Sequence, residues 1–106
     1  MAWILLSVAG LLEVVWAYFM KLSDGFSRPM YTVLTFGFMF VSFWLLSVAM
    51  KTLPLGTAYA VWTGIGAVGA FIVGLVMLGE AASPLRILAA LLIVSGIALM
   101  KFTSAE

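Results

Sequence analysis

The chain has 106 residues, of which 66% are hydrophobic and 8% are charged, and its net charge is +1 at pH 7. Soluble domains carry about 25% charged residues, and a chain of this length cannot hide so much apolar surface in a water-soluble core. The composition therefore predicts a membrane protein. It has no basic run that would suggest nucleic-acid binding, and a sequence without Cys or His offers no disulfide and no thiolate or imidazole metal ligand.

Four apolar segments are long enough to cross a bilayer as helices, which takes about 20 residues at about 1.5 Å each. The first lacks the basic n-region of a signal peptide, so we expect it to be a permanent span. Strands are disfavoured because the apolar residues do not alternate with polar ones. The sequence predicts one all-α transmembrane domain over residues 1–106, with spans at Trp3–Met20, Tyr31–Met50, Thr57–Leu78 and Pro84–Met100.

The basic residues are divided almost evenly between the two membrane surfaces. With four spans, Lys51 and Lys101 lie on one side, and Lys21, Arg28 and Arg86 lie on the other. The positive-inside rule needs a clear bias to fix an orientation. Two interpretations stay open: the charges are too few to be informative, or copies of the chain insert in both orientations and pair antiparallel.

Glu13 is the one charged residue in the middle of a predicted span. A charged side chain at this depth costs several kcal/mol when it is unpaired, and such residues usually mark a functional site. The nearest cations, Lys21, Lys51 and Lys101, belong to the ends of spans. We therefore expect the counterion of Glu13 to be a proton or a cation from outside the chain; the alternative is a protonated acid that only bonds to a neighbouring helix.

Small and aromatic residues share the helix face of Glu13. Ala9 and Gly10 precede it by one turn, and Trp16 and Ala17 follow it by one turn. The small residues predict a hollow beside the carboxylate, and the indole supplies a flat wall and one N–H donor. Small residues on a helix face are more often used for packing, so that alternative stays open.

The third span carries a second group of candidate residues. Tyr59, Trp62, Thr63 and Gly66 fall on one face, and aromatic rings with a polar hydrogen suit a cation site through cation–π attraction and hydrogen bonds to the carboxylate. The alternative is an interfacial aromatic belt, which fits Tyr59 better than Trp62. The Gly64 and Gly66 pair permits either a hinge or close helix packing.

The remaining spans offer weaker signals. Ser42 is a candidate for the site, although most membrane serines bond back to their own helix. The fourth span has small residues but no interior charge, which predicts an assembly surface around Ala90, Ser95 and Gly96. No nucleophile–base pair, metal cluster or nucleotide loop occurs in the sequence, so we expect neither an enzyme nor a cofactor.

Two stretches make the chain resemble a known family over its whole length. They are LLEVVWA, which contains Glu13 and Trp16, and KTLPLGTAYAVWTGIGAVGA, which runs from Lys51 to Ala70. Together with four spans in about 105 residues, they resemble the small multidrug resistance family. The Trp16 indole after Glu-Val-Val and the Trp-Thr-Gly-Ile-Gly run resemble its guanidinium-exporter subtype.

The resemblance implies an antiparallel, dual-topology homodimer in the bacterial cytoplasmic membrane that exchanges protons for a small cation. It assigns substrate and proton binding to Glu13, and it lines the site with residues from three spans. These lining residues are Gly10, Trp16, Ser42, Tyr59 and Trp62. It also implies a hinge at Gly64 and Gly66 and a dimer contact in the fourth span. Tyr18 and Phe19 depart from the expected smaller side chains and place bulk near one portal.

Three alternatives to guanidinium export remain at the level of sequence. A broader exporter of quaternary ammonium ions would use aromatic faces and space instead of hydrogen bonds. A ring-forming proteolipid of a rotary ATPase also has a buried Glu, although usually away from an aromatic cavity. The third is a non-transporting membrane subunit or one half of a hetero-pair.

Overall fold

A computed structural model describes residues 1–103 of the chain, and this part is built from four long α-helices. Each helix is long and apolar enough to cross a membrane. They begin and end within three residues of the predicted spans. The helices are α1 (Ala2–Leu22), α2 (Pro29–Ala49), α3 (Leu55–Met77) and α4 (Pro84–Thr103). The last three residues of the predicted domain lie outside the described residues.

Local sequence explains where the helices start and stop. Pro29 and Pro84 occupy the first positions of α2 and α4, where the missing N–H of proline is not needed. Ser83 caps α4, because its hydroxyl accepts a hydrogen bond from the backbone N–H of Arg86 at 3.2 Å. At the end of α3, Gly79 adopts φ +68°, a left-handed conformation that glycine reaches without steric cost.

The helices lie side by side in the order α2, α1, α3, α4. Helix α1 packs along both α2 and α3, and α4 packs against the outer side of α3. This arrangement gives a flat body whose Cα atoms extend over 43 × 34 × 16 Å. No residue of α4 is buried, so α4 is the least enclosed helix of the described chain.

One buried hydroxyl joins three of the helices. Ser42 on α2 donates its hydroxyl proton to the backbone carbonyl of Ala9 on α1 at 2.7 Å. The same oxygen accepts a hydrogen bond from Nε1 of Trp62 on α3 at 3.0 Å. Ser42 and Ala9 are completely buried, and close contact at small residues is typical of membrane helix packing. The core of the fold therefore contains a polar link from α1 through α2 to α3.

The replacement Ser42→Ala should lower the stability of the protein by about 1 kcal/mol, because it leaves the buried indole N–H of Trp62 without an acceptor. Thermal unfolding in detergent micelles would measure the change. Ser47→Ala is the matched control, since Ser47 is exposed on the same helix and its replacement should leave the melting temperature nearly unchanged. Equal losses in the two variants would contradict a linking role for Ser42.

Candidate functional site

The Glu13 carboxylate lies in the contact between α1 and α3. Its neighbour across the contact is Gly66, which is buried on α3. A Cβ atom built on Gly66 would collide with the carboxyl group of Glu13. The acid is thus in close contact with the bare backbone of α3, at the depth that the sequence predicted for the site.

Two polar atoms at this point have no partner within the described chain. Oε1 of Glu13 and Nε1 of Trp16 are both buried, and neither makes a hydrogen bond to residues 1–103. Buried polar groups in native proteins are nearly always hydrogen-bonded, so each exception needs an explanation. A carboxylate oxygen without a donor is suited to binding a proton or a cation that carries N–H groups.

Aromatic rings from three helices form a row beside the acid. Trp16 on α1 makes an edge contact with Phe43 on α2, with ring centroids 6.2 Å apart. Phe43 makes a second edge contact with Trp62 on α3 at 5.6 Å, and Trp62 lies 5.8 Å from Tyr59. Tyr59 is 54% exposed, whereas Trp62 is 7% exposed. The row therefore begins at the half-buried Trp16 and ends with a buried indole next to an open phenol.

Phe43 was missed by the sequence analysis. It is one of many apolar residues in α2, and no periodic pattern distinguishes it from exposed neighbours such as Phe40 and Trp44. The only available signal is its position next to Ser42. In the structure it separates the two tryptophans that the sequence had singled out.

Ser42 and Trp62 bond to each other and not to the acid. The sequence analysis expected the polar hydrogens of the third span to reach the carboxylate, but the indole N–H of Trp62 is donated to Ser42. The proton of Ser42 is in turn donated to Ala9. The two hydrogen bonds fix the position of the Trp62 ring, and a role of both residues in binding stays a prediction.

The predicted hollow at Gly10 is filled in this structure. A Cβ atom on Gly10 would lie 2.6 Å from Cγ2 of Ile65, so Gly10 serves the close packing of α1 against α3. Ala9 is also completely buried. Gly10 therefore brings the two helices together and leaves no hollow at its own position.

The two glycines of the predicted hinge face different neighbours. Gly66 contacts Glu13, whereas a Cβ atom on Gly64 would lie 2.7 Å from Cδ1 of Ile97 on α4. Helix α3 is continuous through this region, from Leu55 to Met77. In this conformation both glycines act as points of close approach.

The residues predicted for a dimer contact lie on a poorly covered helix. Ser95 and Gly96 are exposed and Ala90 is half-buried. The Ser95 hydroxyl bonds back to the carbonyl of Leu91 on its own helix at 2.8 Å. A Cβ atom on Gly96 would meet nothing within 4 Å among the described residues, so this face of α4 has room for another helix.

Tyr18 and Phe19 point to different parts of the molecule. Phe19 stacks on Phe38 of α2, with ring centroids 5.7 Å apart. Tyr18 lines a cavity of about 190 Å³ between α1 and α3, whose other lining residues include Val14, Lys21 and Glu80. Of the two bulky residues, Tyr18 is therefore the one that borders this cavity.

The acidic residues of the described chain do not form a metal centre. Among residues 1–103, no group of three or more His, Cys, Asp and Glu side chains could hold a metal ion.

Comparison of the sequence with known proteins places the chain in a family. The family model described as Small Multidrug Resistance protein matches residues 1–93. A protein of Salmonella typhimurium strain LT2 named Guanidinium exporter is 58% identical over 104 residues, covering 98% of this chain and 99% of that protein. Proteins with the same name from Escherichia coli K12 and Citrobacter freundii are 58% and 57% identical over the same length and coverage. The predicted resemblance is confirmed, and the chain belongs to the small multidrug resistance family of multi-pass membrane transporters.

Proposed function

We propose that the protein exports guanidinium and small substituted guanidinium cations in exchange for protons. The observation that carries this proposal is the buried Oε1 of Glu13, which has no donor from residues 1–103. Guanidinium is a planar cation with forked N–H groups that match a carboxylate. The name shared by the 58%-identical relatives supports the same substrate class.

Exchange follows from competition for the carboxylate. A proton and a guanidinium ion both neutralise Glu13, so binding of one displaces the other. A neutralised site costs far less to carry through the membrane interior than a charged one. Proton and guanidinium transport are coupled if the site can switch its opening from one membrane face to the other only when a proton or a guanidinium ion is bound. The empty, charged site must not switch. An inward proton gradient then drives guanidinium out.

The functional unit in this proposal is an antiparallel homodimer. One chain is a body only 16 Å thick, and Tyr59 at the end of the aromatic row is open. The exposed small residues Ser95 and Gly96 leave α4 free to pack against a second copy. A second chain would cover the site and supply a second Glu13, so that two carboxylates share protons or one cation.

Guanidinium is favoured over quaternary ammonium ions by the same carboxylate oxygen. A quaternary ammonium ion has no N–H group and would leave Oε1 of Glu13 unsatisfied in a buried position. The aromatic row of Trp16, Phe43, Trp62 and Tyr59 could still attract such an ion through cation–π contacts. The second candidate function is therefore a broader exporter of quaternary ammonium cations.

Glu13→Gln should abolish guanidinium-driven currents of the reconstituted protein. The neutral amide of Gln can neither take up and release a proton nor pair as an anion with a cation. The measurement is current across proteoliposome membranes under guanidinium gradients at several pH values. Glu80→Gln is the matched control: Glu80 is an exposed acid beyond the end of α3, and its replacement should preserve the current. Proton-coupled uptake that persists in Glu13→Gln would refute the assignment.

Competition should distinguish the two substrate classes. In the same preparation, tetrapropylammonium should inhibit guanidinium transport at least about tenfold more weakly than methylguanidinium does, because a site built to bond N–H groups discriminates against ligands that lack them. Inhibition by the quaternary ion at equal or lower concentration would favour the broader exporter.

Dual topology can be tested with single cysteines, since the sequence contains no Cys. Ser27→Cys reports the α1–α2 connection and Thr52→Cys the α2–α3 connection, and both positions are exposed. The near balance of basic residues predicts that an impermeant maleimide labels about half of each variant in intact spheroplasts. Labelling of one variant and complete protection of the other would show a single orientation.

A further inference from the structure

We infer that Gly66 is a positioning residue for Glu13. Its bare Cα forms a recess that receives the carboxylate in the α1–α3 contact, and this role is separate from any bending of α3. The inference rests on the proposed function only for the identity of the bound cation; the recess itself is a property of the packing.

The recess at Gly66 is specific for the acid. For a Cβ atom built on Gly66, the three nearest heavy atoms are Oε1, Cδ and Cγ of Glu13, the last at 2.9 Å. All three belong to one side chain. A methyl group at position 66 would therefore collide first with the side chain of Glu13, including its carboxyl group.

Other glycines of the contact do not meet the acid. A Cβ atom on Gly69 would collide with Val14, and one on Gly10 would lie 2.6 Å from Ile65. These positions bring α1 and α3 close together through apolar side chains. Gly66 lies in the same contact, but there the close approach of the two helices fixes the position of the Glu13 carboxylate.

The recess affects binding because it fixes Oε1 of Glu13 at a buried point where no group of residues 1–103 donates a hydrogen bond to it. If position 66 carried a methyl group, the carboxyl group would have to rotate away from α3. Its oxygens would then change position relative to the Trp16 and Phe43 rings of the site. Small displacements of a binding group cost large factors in recognition, so we expect cation affinity to depend on the residue at 66.

Gly64 has a different partner and separates this role from a hinge. Its Cβ atom would meet Cδ1 of Ile97 at 2.7 Å and Cγ2 of Ile93 at 3.3 Å, both on α4. If both glycines acted only by bending α3, replacing Gly64 or replacing Gly66 would affect Glu13 equally. The recess predicts that only position 66 is coupled to the acid.

A double-mutant cycle between Gly66→Ala and Glu13→Ala tests the inference. In the native background, Gly66→Ala should lower the melting temperature in detergent. In the Glu13→Ala background it should cause no loss, because the atoms that the new methyl group would strike are absent and alanine favours the helix. Gly69→Ala is the matched control, and its cost should be equal in both backgrounds because Val14 remains.

Binding provides a readout that general destabilisation would not change. Guanidinium titration followed by tryptophan fluorescence should give a Kd at least about tenfold weaker for Gly66→Ala, because the carboxylate is displaced. Gly69→Ala should keep the native Kd. Gly64→Ala should also keep it, which would exclude a shared hinge as the cause.

Two results would overturn the recess: an equal loss of stability from Gly66→Ala in both backgrounds, or a native Kd in Gly66→Ala. If Gly66→Ala alone yields no folded protein, recovery of folded protein in the double variant supports the recess, and failure of both overturns it. If the native protein binds no guanidinium, the proposed function fails, while the stability cycle still decides whether the recess exists.

Discussion

A single carboxyl group in a membrane helix constrains the arrangement of everything around it. Glu13 needs room in the α1–α3 contact, and the backbone of Gly66 provides that room. It also needs a counterion in a region where a bare charge is expensive, and Oε1 has no partner within residues 1–103. The close approach of the first and third helices at Gly66 accommodates this one side chain, and the proposed dependence on a mobile cation or proton starts from the same carboxyl group.

The polar groups of the site fall into two sets with different tasks. Ser42, Trp62 and the carbonyl of Ala9 satisfy one another, so they hold three helices and one indole ring in place. Glu13 and Trp16 keep buried polar atoms that have no hydrogen-bond partner among residues 1–103, and the proposed function assigns ligand binding to this pair. Phe43 touches the tryptophan of each set. The satisfied set holds the helices in place next to the set that the proposal assigns to binding.

The fold was predictable because its main signal is composition along the chain: four apolar runs separated by turn-forming residues specify four helices, and all of them occur. Glu13 stands out in the sequence for the same reason, since a charge in an apolar run needs an explanation, and its functional role stays a prediction. The partners of each residue were not predictable. Spacing on one helix places Trp62 and Gly66 on a common face, but the relative rotation of the helices decides that Trp62 bonds to Ser42 and that Gly66 meets the acid.

The link through Ser42 has a consequence for biogenesis. Its bond to Ala9 joins the first two helices of the chain, so a hairpin leaving the ribosome can already satisfy that hydroxyl before the rest is translated. The indole of Trp62 adds to it when the third helix arrives. Glu13, by contrast, precedes Gly66 in the chain, so the segment that accommodates its carboxyl group is synthesised after it. The carboxyl group of Glu13 therefore gains its contact with Gly66 only after the third helix has been synthesised and has packed against the first.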